Sequence, residues 1–496
     1  MVNKTELFEH KSVFRAVMEL ALPSVIAQII LVIYNMADTL FVGMTNSDEM
    51  ITAVTICLPA FMFLSAVSNL FGVGAASVIA RALGKNENEK AKDTFSFAIW
   101  GCLIVTIVYC FVVWIFFDSF IDALGGTNPA IHSAAAEYMK CTVIAGGPAT
   151  AINTLIAHLI RAYGCSVQAS TGVVLGGILN IVLDPLFMFI IFPARRATFG
   201  AALATAISNL CALLFYIAVI VKNRKKLAIH VLPSEKMFRN GIPGDVFKVG
   251  MAAFLMTLFE NISYAVLDKL MATAGTAAQA GIGVAKKVNM LAHCFVRGMS
   301  QGVLPLIAYN YASGNRIRMK KVIYCSSAVS VGIALACTAG CLIFSNKLIS
   351  VFIHTDGDSL CYGSDFLRIL CLGAPFSAFS YTVISFFQAI GRGGKSMLLA
   401  LMRKGILDIP LMFILQVLIP TYGIVAATPI TDFVCSITAV ILFSIFIHRH
   451  GKNKRLINVY YRQTYRTNTQ KKRAFPSAKT RIYAFYDRIA FFICNR

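Results

Sequence analysis

The chain has 496 residues, of which 57% are hydrophobic and 14% charged, and its formal net charge is +22. Mean hydropathy is +0.71. Soluble proteins carry about 25% charged residues, so a set of water-soluble domains is excluded and a polytopic membrane protein is expected.

Residues 1–13 are polar and lack a cleavable signal pattern, so the first span would itself direct insertion. Apolar stretches then fall at roughly 14–43, 51–81, 94–118, 131–160, 169–193, 199–221, 246–272, 277–311, 321–345, 359–390, 396–420 and 423–448. About 20 apolar residues at a 1.5 Å rise cross a bilayer, so each stretch predicts a spanning helix. The expectation is an all-α integral membrane protein of twelve transmembrane helices. Lys and Arg cluster in alternate breaks: Lys4, Lys11 and Arg15; Arg81, Lys85, Lys90 and Lys92; Arg161; the run from Lys222 to Arg239; Arg316 to Lys321; Arg392 and Lys395. The intervening breaks carry Arg195, Arg196 and Lys347. By the positive-inside rule both termini are cytoplasmic, and the protein sits in the inner membrane.

The basic break at 222–245 separates two sets of six spans, 14–221 and 246–450. The halves echo each other. Leu183-Asp-Pro-Leu-Phe-Met188 resembles Leu407-Asp-Ile-Pro-Leu-Met412, and Phe199-Gly-Ala-Ala-Leu-Ala-Thr-Ala-Ile207 resembles Tyr422-Gly-Ile-Val-Ala-Ala-Thr-Pro-Ile430. Asp38 near the end of the first span corresponds to Asp268 near the end of the seventh. Halves with an even number of spans insert in the same sense. Two pseudo-symmetric six-helix lobes about an axis along the membrane normal are therefore expected, with a substrate cleft between them. The tail, 451–496, has many bases against a single acid, Asp487. Its expected partner is the anionic lipid surface rather than nucleic acid.

An ionisable group inside a membrane span is costly and is by default a functional candidate. Asp38 lies in the first span beyond Pro23, which cannot donate to the carbonyl of Glu19 and so allows the helix to bend there. Asn180 and Asp184 are four apart and share a helix face. Pro185 frees the carbonyl of Ile181. Carboxylate, amide and carbonyl oxygens suit a small hard cation such as Na⁺, or a shared proton. Asn153 and Thr205 would complete the cluster, with Tyr34, Asn35 and Tyr138 as weaker members; an interfacial position is the alternative for Tyr138. Two carboxylates in an apolar interior resist ionising together, so Asp38 and Asp184 are expected to share one proton or hold one cation.

In the second half Glu260, Asp268 and Asp408 are the candidates. Lys286, Lys287, Arg297, Arg403 and Lys404 are expected to neutralise some of them. His158 and His293 read as hydrogen-bonded core residues. The fourteen cysteines stand without CxxC or Cys/His spacing and read as small buried hydrophobes. No Walker loop or HExxH run is present, so neither an enzyme nor a cofactor is expected.

From about Phe14 to His450 the chain resembles the multidrug and toxic compound extrusion (MATE) transporters. The resemblance is carried by Ala21-Leu-Pro-Ser24 with Asp38, by Gly72-Val-Gly-Ala-Ala-Ser77 running to Arg81-Ala-Leu-Gly84, by Asn180 to Asp184-Pro185, and by Ser300-Gln-Gly-Val-Leu-Pro305 with Tyr309-Asn-Tyr311. It implies two lobes around a cavity and export of organic cations and drugs in exchange for H⁺ or Na⁺. It further implies an ion site carried by Asp38, Asn180, Asp184 and Thr205, bending near Pro23, and a monomer. Glu260 would match an acid that some members use in the seventh helix. The bases of the second half and the basic tail depart from the family pattern. They keep open an alternative, a lipid-linked oligosaccharide flippase of the same superfamily.

Overall fold

The computed structural model describes residues 6–45, 47–223, 229–353 and 357–472, with side chains to residue 448. The tail beyond 472 and the bases Arg224, Lys225 and Lys226 lie outside the described residues, so the expected lipid contact of the tail does too.

Each apolar stretch has become a helix or a broken helix. The twelve are α1 Val13–Gly43, α2 Asp48–Gly84, α3 Asn88–Ile115, α4 as Pro129–Ala145 with Gly147–Ala162, α5 Ser166–Ile191 and α6 Ala197–Asn223. They continue with α7 Ile242–Thr273, α8 Thr276–Ala312, α9 Arg316–Ser350 and α10 as Asp358–Cys371 with Ala374–Ala389. Last come α11, in the pieces Gly393–Leu401, Met402–Ile406 and Asp408–Leu418, and α12 Tyr422–Lys472. Among the described residues, eight of these helices are long and apolar enough to cross a membrane, and the bent pairs α4 and α10 bring the number to ten. The other two, α8 and α11, fall short on composition or continuity. α8 carries Lys286, Lys287, His293 and Arg297 within its length, and α11 is interrupted at Met402–Ile406.

Large apolar side chains cover the outside: Val417 is 83% exposed, Ile190 75% and Ile343 72%. Such a surface has lipid, not water, as its solvent, and helices suit it because they satisfy every backbone group internally.

The face at which α1 begins is called the near face, and the opposite one the far face. In the far half each lobe closes on its own core. One core gathers Val42, Ala53, Cys57, Val113, Met139 and Met188, all from α1–α5. The other gathers Leu267, Met271, Ile282, Ile349, Phe366 and Met412, all from α7–α11. In the near half the lobes join each other. A Cβ on Gly298 would lie 2.4 Å from the Cα of Val25, and one on Gly302 2.5 Å from the Cα of Ala21, so α8 reaches α1 through glycines. Likewise a Cβ on Gly74 of α2 would meet the carbonyl of Val246 on α7 at 2.4 Å. Only a residue without a side chain permits such an approach.

Polar links follow the same seam. Asn69 donates to Thr257 at 2.9 Å, Gln28 to Gln301 at 3.2 Å, Ser77 to the carbonyl of Gln388 at 2.5 Å, and Lys90 to Asp245 at 3.3 Å. Among the described residues, no hydrogen bond joins the lobes in the far half.

A short π-helical segment, Glu6–His10, seals the near face. Leu7 and Phe8 are buried. The ring of Phe8 stacks on Tyr309 at 4.8 Å, and its carbonyl accepts from Asn310 at 3.3 Å and Arg318 at 2.8 Å. The side chains of Leu7 and Phe8 also border Gly164, so the segment touches both lobes. The break at 222–245 is less free than its composition suggests. Ser96 and Trp100 of α3 donate to the carbonyls of His230 and Val231 at 2.6 and 2.8 Å.

Candidate ion-coupling site

The first-lobe cluster forms on three helices. Asn180 and Asp184 lie one turn apart on α5, and the amide of Asn180 donates to Asp184 Oδ1 at 3.2 Å. The same amide nitrogen lies 3.3 Å from Thr205 Oγ1 on α6. Asn209, one turn further on, donates to the carbonyl of Thr205 at 3.1 Å and accepts from Asn153 of α4 at 3.1 Å. The chain Asp184–Asn180–Thr205–Asn209–Asn153 is therefore continuous. Immediately after Asp184-Pro185 the backbone widens into a π-helical turn, Leu186–Ile191. A proline that withholds its donor favours such a register change.

Asp184 is fully buried, and its Oδ2 has no hydrogen-bond partner among the described residues. Asp38, on α1, is half-buried, and its Oδ1 is likewise buried and unpartnered. The two carboxylates lie within electrostatic reach of one another. Tyr34 and Tyr138 lie within reach of both. Tyr138 is buried at 6% exposure. It is packed inside the protein rather than at the membrane interface, the other place the sequence allowed for it. The amide oxygens of Asn153 and Asn180 are also buried without partners. The site thus offers unpaired carboxylate and amide oxygens, and among the described residues no base forms an ion pair with either acid.

Among the described residues, no three His, Cys, Asp or Glu side chains group as a metal site. The donor set mixes acids with amides and a hydroxyl, as suits a proton or a monovalent cation rather than a tightly held transition metal. Pro23 lies inside α1, which passes through it as one helix in this conformation. The carbonyl of Leu20, one turn earlier, accepts from Ser24 at 3.3 Å and from Ser166 of α5 at 2.5 Å.

The second lobe is arranged differently. Glu260 pairs with Arg297 and Asp268 with Lys286 across to α8, rather than with its chain neighbour Lys269. Asp408 pairs with Lys404 at 2.9 Å. Arg403 holds Asp432 of α12 at 2.7 Å, with both side chains 2% exposed, and its guanidinium lies over the ring of Tyr381 at 4.4 Å. Sequence reasoning missed Asp432. The available signal was a carboxylate inside the apolar run of the twelfth span. His158 bonds Asn69 at 3.2 Å, and His293 bonds the carbonyl of Asn289 at 3.1 Å and Ser377 at 3.2 Å. Both are hydrogen-bonded core residues.

The MatE family model matches residues 23–186 and again 252–414, once in each lobe. The chain belongs to the MatE family. A relative of this MATE chain is the multidrug export protein MepA of Staphylococcus aureus (strain MSSA476). It is 29% identical over 439 residues, covering 88% of this chain and 94% of the relative. MepA of Staphylococcus haemolyticus is 29% identical over 441 residues with the same coverage. Among solved structures, a MATE in the straight conformation superposes with TM-score 0.83 at 24% identity, covering 91% of this chain and 100% of the other. A MATE in the bent conformation gives 0.78 at 23% identity, covering 91% and 99%. These structures share the fold, twelve helices in two lobes, with this MATE chain.

Proposed function

We propose that this MATE chain is a secondary active exporter of organic cations and drugs, driven by exchange for H⁺ or Na⁺. The observation that carries the reading is the pair Asp38 and Asp184. Both expose buried oxygens with no base beside them, among amide and hydroxyl groups that can complete an ion shell. The names of the MepA relatives support drugs as the cargo.

Lys and Arg placement puts both termini in the cytoplasm and the near face inward. The lobes join in that half, and among the described residues no hydrogen bond joins them in the far half, which supports reading this conformation as the one open to the outside. In the proposed cycle the ion enters from outside, binds Asp38, Asn180, Asp184 and Thr205, and favours release of the cargo. Bending of α1 near Pro23 and rocking of the lobes then expose the site inward. The ion drives the cycle by binding one conformation better than the other. No nucleophile or cofactor is required, and a single chain in the inner membrane suffices. The flippase alternative draws no support from four of the bases in the second lobe. Arg297, Lys286, Arg403 and Lys404 are each committed to an acid rather than free to meet a pyrophosphate.

The test is ethidium efflux from cells and everted vesicles under a pH gradient and then a Na⁺ gradient. Export should follow one gradient in the wild type and vanish in Asp38→Asn, with the variant still inserted and folded. Gradient-driven export that survives Asp38→Asn would overturn the assignment.

A further inference from the structure

The two lobes contain a similar local arrangement with two exchanges, Lys404 for Asn180 and Asp432 for Asn209. In the first lobe Asp184 precedes a proline, Asn180 sits one turn earlier and bonds it, and Thr205 of the next helix bonds that amide. In the second lobe Asp408 lies just before Pro410, Lys404 sits one turn earlier and donates to Asp408 Oδ2 at 2.9 Å, and Thr428 of the next helix donates to Oδ1 at 3.1 Å. Asp184 and Asp408, Asn180 and Lys404, Thr205 and Thr428, and Asn209 and Asp432 are all separated by about 224 positions, the repeat distance of the chain. The acid and the threonine are common to both lobes. The amide of the first lobe is an ammonium in the second.

We propose that Lys404 is a tethered cation. Its ammonium permanently fills the second-lobe counterpart of the ion site, so that only the first lobe exchanges an ion. This rests on the reading of Asp184 as an ion ligand. Lys404 is 2% exposed and Asp408 fully buried. Ser263 donates to the same carboxylate oxygen at 2.6 Å, and the ring of Tyr264 lies 5.2 Å from the ammonium. The carboxylate is thus fully partnered, whereas Asp184 keeps an oxygen unpartnered. A lysine ammonium is a compact monovalent charge with donors that a carboxylate and a hydroxyl can surround. Its stem leaves from the same helix, so it cannot dissociate when the lobes move. Leaving either partner alone in this interior would be strongly unfavourable, and the pair therefore stays closed through the cycle.

The experiment uses the purified full-length protein in detergent. Melting is followed as NaCl replaces choline chloride at constant ionic strength, and in parallel from pH 5 to pH 9 in choline chloride. A ligand that binds only the folded state raises the melting temperature. Asp184→Asn should abolish the wild-type response to sodium or protons. Asn180→Lys, which installs the tether in the first lobe, should fold and abolish it equally. Lys404→Asn combined with Asp184→Asn should regain a response, and adding Asp408→Asn should remove it again.

A folded Asn180→Lys protein that keeps the wild-type response would overturn the proposal. So would a folded Lys404→Asn/Asp184→Asn protein without any response. If Lys404→Asn does not fold, Asn180→Lys decides alone. If Asp184→Asn leaves the wild-type response intact, the first-lobe reading has failed. The tether is then judged by whether Lys404→Asn gains a response that Lys404→Asn/Asp408→Asn lacks: a gain supports it and no gain overturns it.

Discussion

Replacing Gly250 by alanine should shift this transporter away from the conformation in which the near face is closed. A Cβ at Gly250 of α7 would stand 1.8 Å from the carbonyl oxygen of Leu70 on α2 and 2.8 Å from its carbon. Real Cβ contacts stay beyond 3.0 Å, so the helices must part by roughly 1.2 Å. Both obstacles are backbone atoms, and no side-chain rotation relieves them. Overpacking of a close-packed contact costs about 1–3 kcal/mol. At about 1.4 kcal/mol per tenfold, that is a shift of roughly 5- to 150-fold in the ratio of closed to open near face.

Cys294 reports on it, because it is 2% exposed and donates to the carbonyl of Gln28 across the same seam at 3.3 Å. Its alkylation by a water-soluble maleimide, mapped by mass spectrometry, should accelerate by that factor in Gly250→Ala. Gly340→Ala, where a Cβ meets nothing within 4 Å, is the control and should match the wild type. Equal Cys294 reactivity in the two variants would refute the argument that this backbone contact holds the near face shut.

Phe8→Ala removes a buried ring from the near-face seal and its stack on Tyr309. Large-to-small changes of this kind cost about 3–5 kcal/mol where the site is fully packed. Amide exchange in the last turns of α8 should quicken while exchange in α5 is unchanged; equal exchange at both would show that the segment does not act as a seal. Arg403→Met strands Asp432 in the interior and should lower stability by about 3–5 kcal/mol. Arg403→Met with Asp432→Leu should recover most of that loss, read as the melting temperature in detergent. A double variant no more stable than the single one would show that the pair is not the source of the loss. The Asp38→Asn efflux test and the tether series complete the set.

The number and order of the helices were legible in the sequence, because lipid imposes a length and an apolar composition on any chain that crosses it. The repeat was legible too, since Asp184-Pro185 and Asp408 with Pro410 recur with their neighbours. So was the first-lobe cluster: Asn180 and Asp184 are one turn apart, and in a membrane a polar side chain announces itself. What the sequence could not decide was which acid finds a base. Asp268 stands beside Lys269 in the chain yet pairs with Lys286, and Asp432 meets Arg403 from another helix, because ion pairs form between helix faces whose rotation is set by packing. Tyr138 could have been interfacial or part of the cluster, and only its burial in the folded protein separates the two. Nothing in the sequence says that the glycines at 74, 250, 298 and 302 face another helix. Only the tertiary structure shows that two lobes press backbone to backbone through them, while among the described residues no hydrogen bond joins the far halves, each filled by its own core.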